Sequence, residues 1–330
     1  MTARFLVLVA IVTALLACAP LVLSGYYLNV CYITILYVGL AYGWNVISGY
    51  AGYFSFGQVA FFGSGAYVMG LLVLNLHWNW LAATVAGGLA GVVIAIPAGY
   101  VMLRLRGPFF SLGMFGLAQT AKVLFSASDK TGGGAGLYLP PGSDLKPVYW
   151  WTLAVALAAF ITTAWLDRSA FGLRLRAMRE DERVAGTLGV DVTRAKTVAF
   201  AISALIPALL GGGYAWFLTT VDPEAVFSPR LDLQAIVMAI FGGIGTLWGP
   251  LVGAVFMTQI SEALWARFPQ AYLMIFGGLL VALLIFMPRG LVPAIAAHFG
   301  KRDAGGGPLS TTTPSPHEQE RGSRLPESVA

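Results

Sequence analysis

Long apolar runs alternate with short polar connectors along most of the chain, a spacing that predicts membrane-crossing helices. Runs at 1–24, 27–47, Trp80–Leu103, Pro108–Ser126, Val148–Leu166 and Thr197–Leu218 each match the roughly 17–25 residues that a helix needs to cross a bilayer. Residues 1–24 also carry features of a cleavable leader, but apolar residues resume directly after Pro20, so the run reads as a retained first span. Pro97 predicts a kink in the span that holds it, and Pro207 with Gly211, Gly212 and Gly213 predicts a weakened middle in the last of these runs.

Two regions depart from the plain pattern. From Ser48 onward, Gly49, Gly52, Gly57, Gly63, Gly65 and Gly70 are interleaved with aromatic residues. Such a run suits backbone that leaves the helix inside the membrane, and it equally suits a small-residue face for helix packing. The second region, Leu233–Leu264, is interrupted by GGIGTLWGP at 242–250. Parity bears on it: a single crossing there would let Tyr272–Met287 carry Arg289, Lys301, Arg302, Arg321 and Arg324 to the outside, against the positive-inside tendency. An even number of crossings, or a re-entrant hairpin, is therefore expected. The Gly/Pro-rich connector 127–147 and the segment 219–231 are placed outside, and 291–330 is expected to be a polar, disordered cytoplasmic tail.

Composition excludes a soluble domain: 58% of the residues are hydrophobic and 11% charged, against about 25% charged in ordinary soluble proteins. The net charge of +5 reflects basic residues gathered in connectors and tail, as orientation signals are, so no nucleic-acid partner is expected. Cys18 and Cys31 lie in apolar runs and imply neither a disulfide framework nor a metal site. Gln119 and Lys122 are the polar pair of the fifth span, with Lys122 read as reaching out from its far end.

One long charged block separates two apolar regions, Asp167–Lys196. Its basic residues (Arg168, Arg174, Arg176, Arg179, Arg183, Arg194, Lys196) outnumber its acidic ones (Asp167, Glu180, Asp181, Glu182, Asp191), which marks a cytoplasmic loop. Arg174–Thr187 is expected to form one helix with Leu175, Met178, Glu182 and Ala185 on one face, ended or bent by Gly186 and Gly189. The block is either a solvated linker or a docking helix for a cytoplasmic partner.

Glu182, Ala185 and Gly189, followed by Lys196 and the apolar run after it, resemble the cytoplasmic coupling loop of ABC-importer permeases of the LivM-like branched-chain amino-acid family. The Gly-rich stretch from Ser48 and the GGIGTLWGP turn are similar to segments of the same family, so the resemblance covers about residues 30–290. It departs from the importer pattern at Val184, where an alanine is usual, and Glu182 sits one position early.

The fold class this gives is all-α: a polytopic membrane protein of about eight to ten transmembrane helices, with the permease domain at 1–290 and the coupling loop at 167–196. The resemblance implies half of a translocation path for branched-chain or other neutral amino acids. It implies as partners a second, homologous permease subunit, two cytoplasmic ATPase subunits, a periplasmic substrate-binding protein and the lipid bilayer of a bacterial inner membrane. Arg176, Arg179, Glu180, Glu182, Ala185 and Gly189 are the candidate ATPase-coupling residues, and Ser48, Gly52, Ser55, Gln58 and Gln119 the candidate path residues. No phosphate-cradling GxxxxGK[ST] loop occurs, and no cofactor or catalytic role is expected. Urea or short amides are the alternative substrates. An ion-coupled secondary transporter is the other transport class, for which only Lys122 offers an intramembrane ionisable group.

Overall fold

The computed structural model describes residues 3–23, 25–140 and 144–268, with isolated positions beyond (274, 277, 278 and 290–292). The expected last span at Tyr272–Met287 and the expected tail thus lie, but for those positions, outside the described residues. Among the described residues, seven helical segments are long and apolar enough to cross a membrane: 26–50, 58–76, 80–102, 108–127, 145–168, 192–218 and 223–242. The all-helical class holds. The exception is a two-residue antiparallel pairing of β1 (Leu137–Tyr138) with β2 (Thr220–Val221), which ties the connector after the fifth expected span to the one before Leu233.

Helix α1 (Ala3–Val22) lies against α6 (Leu145–Arg168), where the Tyr149 hydroxyl donates to Leu16 O at 2.9 Å and the Trp150 indole to Ala17 O at 3.1 Å. The centre of the bundle is formed by α3 (Gln58–Leu76), α4 (Trp80–Met102) and α9 (Val192–Leu218). These three pack backbone to backbone: a Cβ on Gly65 would strike Ala208 O, and one on Gly211 would strike Phe62 O. Gly211, Gly212 and Gly213 therefore serve close packing, and α9 runs unbroken through them and through Pro207. Likewise α4 continues through Pro97.

The Gly-rich stretch resolves into both of its readings at once. Helix α2 (Tyr26–Trp44) passes into a π-helical turn at Asn45–Tyr50, and residues 51–57 then leave the helix before α3 begins. Downstream, Gly63 and Gly65 are packing glycines inside α3. The 242–250 interruption is the turn between α11 (Pro229–Gly242) and α12 (Gly249–Arg267). A Cβ on Gly253 would strike Met238 O, so these two helices also touch through backbone. Helix α12 runs antiparallel to α2: the Tyr26 hydroxyl meets Glu262 at 3.0 Å at one end, and Asn45 meets Gly245 at the other. The chain thus runs out and back over 229–267 as a helical hairpin, the form expected for 233–264.

The expected loop at 219–231 is more folded than its polar sequence suggests. Helix α10 (Pro223–Val226) and Phe227 are folded inward, with Val226 and Phe227 fully buried and Phe227 stacked on Tyr67 and Phe125. Three aromatic rings bury more apolar area against one another than an aqueous loop would. The 14 residues of α11 span only about 21 Å, less than a ~30 Å hydrocarbon core. With α10 before it, the helical segment 223–242 reaches the length of a span, and Arg230 near the start of α11 is exposed while Asp232 is buried.

Candidate functional site

The charged block is folded differently from the single helix that its pattern predicts. It splits into α7 (Ala170–Glu180) and α8 (Glu182–Thr187), because Asp181 is extended and its carboxylate accepts from Arg183 N (2.7 Å) and Val184 N (3.2 Å). Those two backbone hydrogen bonds hold the Asp181 carboxyl below the usual carboxylate range. Leu175, Met178 and Ala185 still turn to the same, buried side. Gly189, at φ +85°, ends α8 in the left-handed conformation, with Val190 N donating to Ala185 O at 3.1 Å.

Most of the candidate coupling charges also point inward. Glu182 takes the Lys196 ammonium at 2.7 Å and the Tyr53 hydroxyl, with Arg106 at 3.9 Å, while Lys196 lies 4.6 Å over the Tyr53 ring. Burial opposes charge on Glu182, but the bonds from Lys196 and Tyr53 outweigh it and hold the carboxyl low. Arg176 pairs with Asp167 and lies 5.2 Å over the Tyr50 ring. Arg179 donates to Gly49 O at 2.6 Å, with its stem over Gly52. Glu180 is exposed. Among the exposed charges of the block, such as Arg174, Arg183 and Arg194, stand three large apolar side chains: Leu173, Val184 and Leu188 are 69%, 54% and 77% exposed.

Arg179 thereby connects the block to the two interrupted segments. Asn45, fully buried, accepts from Gly245 N at 2.8 Å and donates to Thr246 O at 3.2 Å, pinning the π-helical turn to the 243–248 turn. A Cβ on Gly49 would collide with the Asn45 side chain. Thr246 then caps α12 by accepting from Gly249 N at 3.0 Å. Every polar atom of Asn45 has a partner here, so this junction is a fixed point.

Between 51–56 and the charged block lies a cleft of about 860 Å³, lined by Gly52, Tyr53, Arg106, Arg179 and Glu182 among others. Phe56, Ser111 and Leu112 line both the cleft and a further cavity of about 240 Å³ along α5 (Pro108–Ala127), which reaches Gln119 and Asp232. Asp232 and Val59 in turn line a small void of about 10 Å³ that also touches Gln58 and Trp44. The three spaces share walls in sequence.

The candidate path residues are distributed along this series. Gly52 lines the cleft. Ser48 braces the segment from behind, donating to Tyr53 O (2.9 Å) and accepting from Ser55 N (3.2 Å). Ser55 is fully buried, its hydroxyl without a partner and its carbonyl held by the Trp44 indole at 2.8 Å. Gln58 gives its Nε2 to Ser203 at 2.6 Å and leaves Oε1 without a partner. Gln119 Nε2 is unpartnered as well. Lys122, read as reaching outward, pairs with the exposed Glu224 at 2.6 Å.

Sequence reasoning missed Asp232. It sits in the first turn of α11, 4% exposed, accepting from Gln58 N at 3.1 Å, and takes part in none of the ion pairs among the described residues. The signal was the charge at the mouth of an apolar run, which reads as a loop residue when the preceding segment is placed in water. Asn45 and Ser203 were missed for another reason, since a single polar residue in a span gives no pattern.

The family described as branched-chain amino acid transport system / permease component matches residues 26–285. The chain is 28% identical over 310 residues to the high-affinity branched-chain amino acid transport system permease protein LivM of Salmonella typhimurium, covering 83% of this chain and 72% of the relative. It is 24% identical to LivH of the same organism, with 78% and 91% covered. To the autoinducer 2 import system permease protein LsrC of Klebsiella pneumoniae it is 29% identical, with 64% and 63% covered. No solved structure matches. With helices α2 to α12, the break after α2 and the turn between α11 and α12 inside the matched region, the chain belongs to the branched-chain amino acid transport system permease family.

Proposed function

We propose that this chain is a permease subunit of an ATP-driven importer for branched-chain or related neutral amino acids, and that it forms half of the translocation path. The observation that carries the reading is the run of wall-sharing spaces from the cleft to Asp232, edged by the same 49–56 segment that Arg179 holds from the charged block. The cleft opens to the cytoplasm. A second permease subunit covers the exposed α5 and α11 side chains Leu112, Phe115 and Leu233 and completes the path. The outward Leu173, Val184 and Leu188 dock one of two ATPase subunits, burying apolar surface that water would otherwise meet. Arg179, Arg176 and Glu182 carry that movement to Gly49, Tyr50 and Tyr53, and Ala185 with Gly189 fixes the fold of the docking turn. A periplasmic binding protein delivers the solute, and ATP is hydrolysed by the partners.

The test is ATP-dependent uptake of labelled L-leucine, L-valine and urea into proteoliposomes holding the permease pair and ATPases, with binding protein added outside. Uptake of the amino acids over urea is expected, with no ATP hydrolysis by the permease alone. Uptake indifferent to ATP, or of urea in preference, would overturn the reading.

A further inference from the structure

Asp232 is a carboxylate folded into the interior of a membrane protein, and an ionisable group there is costly unless something compensates it. Its bond to Gln58 N gives α3 the cap that Gly57, at the N-cap position, has no side chain to supply. Capping alone does not account for an aspartate, because asparagine caps a helix about equally well without bringing a charge into the interior. The surroundings point to a cation. The carboxylate takes part in none of the ion pairs among the described residues, and Gln58, itself 4% exposed and lining the same 10 Å³ void, has an unpartnered Oε1 acceptor. Asp232, held by the backbone N–H groups of Gln58 and Val59 but by no cationic side chain among the described residues, and Gln58 both line this void, whose size suits one small hydrated or ammonium group.

The adjoining 240 Å³ cavity supplies the rest of a ligand's chemistry. Asp232 stands at one part of its wall, and Gln119, whose Nε2 donor has no partner, at another. Between them the wall is apolar, from Phe56, Val59, Phe115 and Leu233. We infer that Asp232 and Gln58 form a subsite for the ammonium group of a zwitterionic amino acid in transit, with Gln119 toward its carboxylate and the apolar wall against its side chain. This rests on the amino-acid reading above and makes Asp232 a specificity-determining residue of the path. The site discriminates because a solute lacking the ammonium group leaves the buried Asp232 charge without a counter-charge and the Gln58 Oε1 without a donor.

The experiment has two arms. In the first, full-length protein in lipid nanodiscs is titrated with methylammonium, L-leucine and 4-methylpentanoate while the Asp232 carboxylate band is followed by infrared difference spectroscopy, assigned by its displacement in D232E. Methylammonium and L-leucine should shift the band and 4-methylpentanoate should not. In the second, cells making the full transporter carry D232N, which keeps the α3 cap; leucine uptake should fall about tenfold or more at unchanged membrane level. A band indifferent to methylammonium, or D232N uptake within about twofold of wild type, overturns the assignment and leaves Asp232 as a cap. Should D232N fail to reach the membrane, the wild-type titration alone decides. If the wild type carries no amino acid but the band answers methylammonium, the cation site stands and the substrate reading is what fails.

Discussion

The charged block and the Gln58–Asp232 region are both rich in polar atoms, yet they are finished to different degrees. In the block, Glu182 meets Lys196 and Tyr53, Arg176 meets Asp167, Arg179 meets a backbone carbonyl, and Arg194 pairs with Asp191 at 3.0 Å. In the interior, Gln58 Oε1, Gln119 Nε2 and Ser55 Oγ have no partner among the described residues. Buried polar atoms are costly to leave unpaired, so the unpaired interior atoms are what the proposed ammonium subsite accounts for. On the proposed reading, the closed block transmits a partner's movement and the open cavity holds the solute.

The largest expected effect lies at the Asn45 junction, which is closed although it is buried. Asn45→Ala strands Gly245 N and Thr246 O without partners, at about 1–3 kcal/mol for each group left unsatisfied. Thermal unfolding in detergent should show a clear loss of stability and transport should fail. An unchanged melting temperature would mean that the two turns hold each other by other contacts.

Next in size is the Glu182–Lys196 pair. Lys196→Met leaves Glu182, 21% exposed, to the Tyr53 hydroxyl and a distant Arg106; the partial exposure moderates the loss to about 1–2 kcal/mol. The same pair predicts a pH dependence. Because the folded Glu182 carboxyl is held low, its stabilisation is fully present above the ordinary carboxylate value of about 4.3. It is lost as pH falls through the lowered folded value. Amide exchange of α8, corrected for intrinsic rate, should be flat from neutrality down to about pH 5 and quicken below about pH 4. Quickening that begins near neutrality would point to another group.

Much of this was legible in the sequence, and the failures share a cause. Apolar runs fixed the helices because length and hydropathy suffice for a helix in a membrane. The hairpin at 229–267 was expected from charge placement, and the departure from helix after Ser48 was one of two readings of its glycine content. The break at Asp181 was hidden because Leu175, Met178 and Ala185 keep a helical spacing across it while a single carboxylate cap decides the matter. Glu182 reads as a surface charge until Lys196 and Tyr53 are brought beside it from 14 residues ahead and 129 behind. Asp232 and Gln58 are 174 apart in the chain, and no local pattern announces their contact.

A smaller effect on the fold, with a large one on assembly, is expected at Leu188. It is 77% exposed, so Leu188→Glu removes no core contact and should change stability by no more than about 0.5 kcal/mol. Co-purification of the ATPase subunits should nonetheless be lost, since a charge placed in an apolar contact must be desolvated. Retained ATPases with full transport would reduce the block to a linker. Gly189→Ala separates this from backbone effects: a Cβ there meets open space, and its cost is the left-handed strain of about 1–2 kcal/mol alone.

The smallest expected change in stability is the sharpest test of the contrast. Gln119 has a buried Nε2 with no partner, so its amide is already desolvated without compensation. Gln119→Leu replaces that amide by an apolar group of similar volume and should leave the melting temperature unchanged or slightly raised, a shift within about 0.5 kcal/mol. In a closed network the same kind of substitution destabilises, as at Asn45. Transport should respond in the opposite sense, falling severalfold because the donor facing the solute is gone, while ATPase co-purification stays intact. Both readings come from one purified variant, by thermal melt and by uptake in proteoliposomes. A destabilised Gln119→Leu would reveal a partner that makes the cavity as closed as the loop, whereas an unaltered uptake would take Gln119 off the path and leave its unpaired amide without a use.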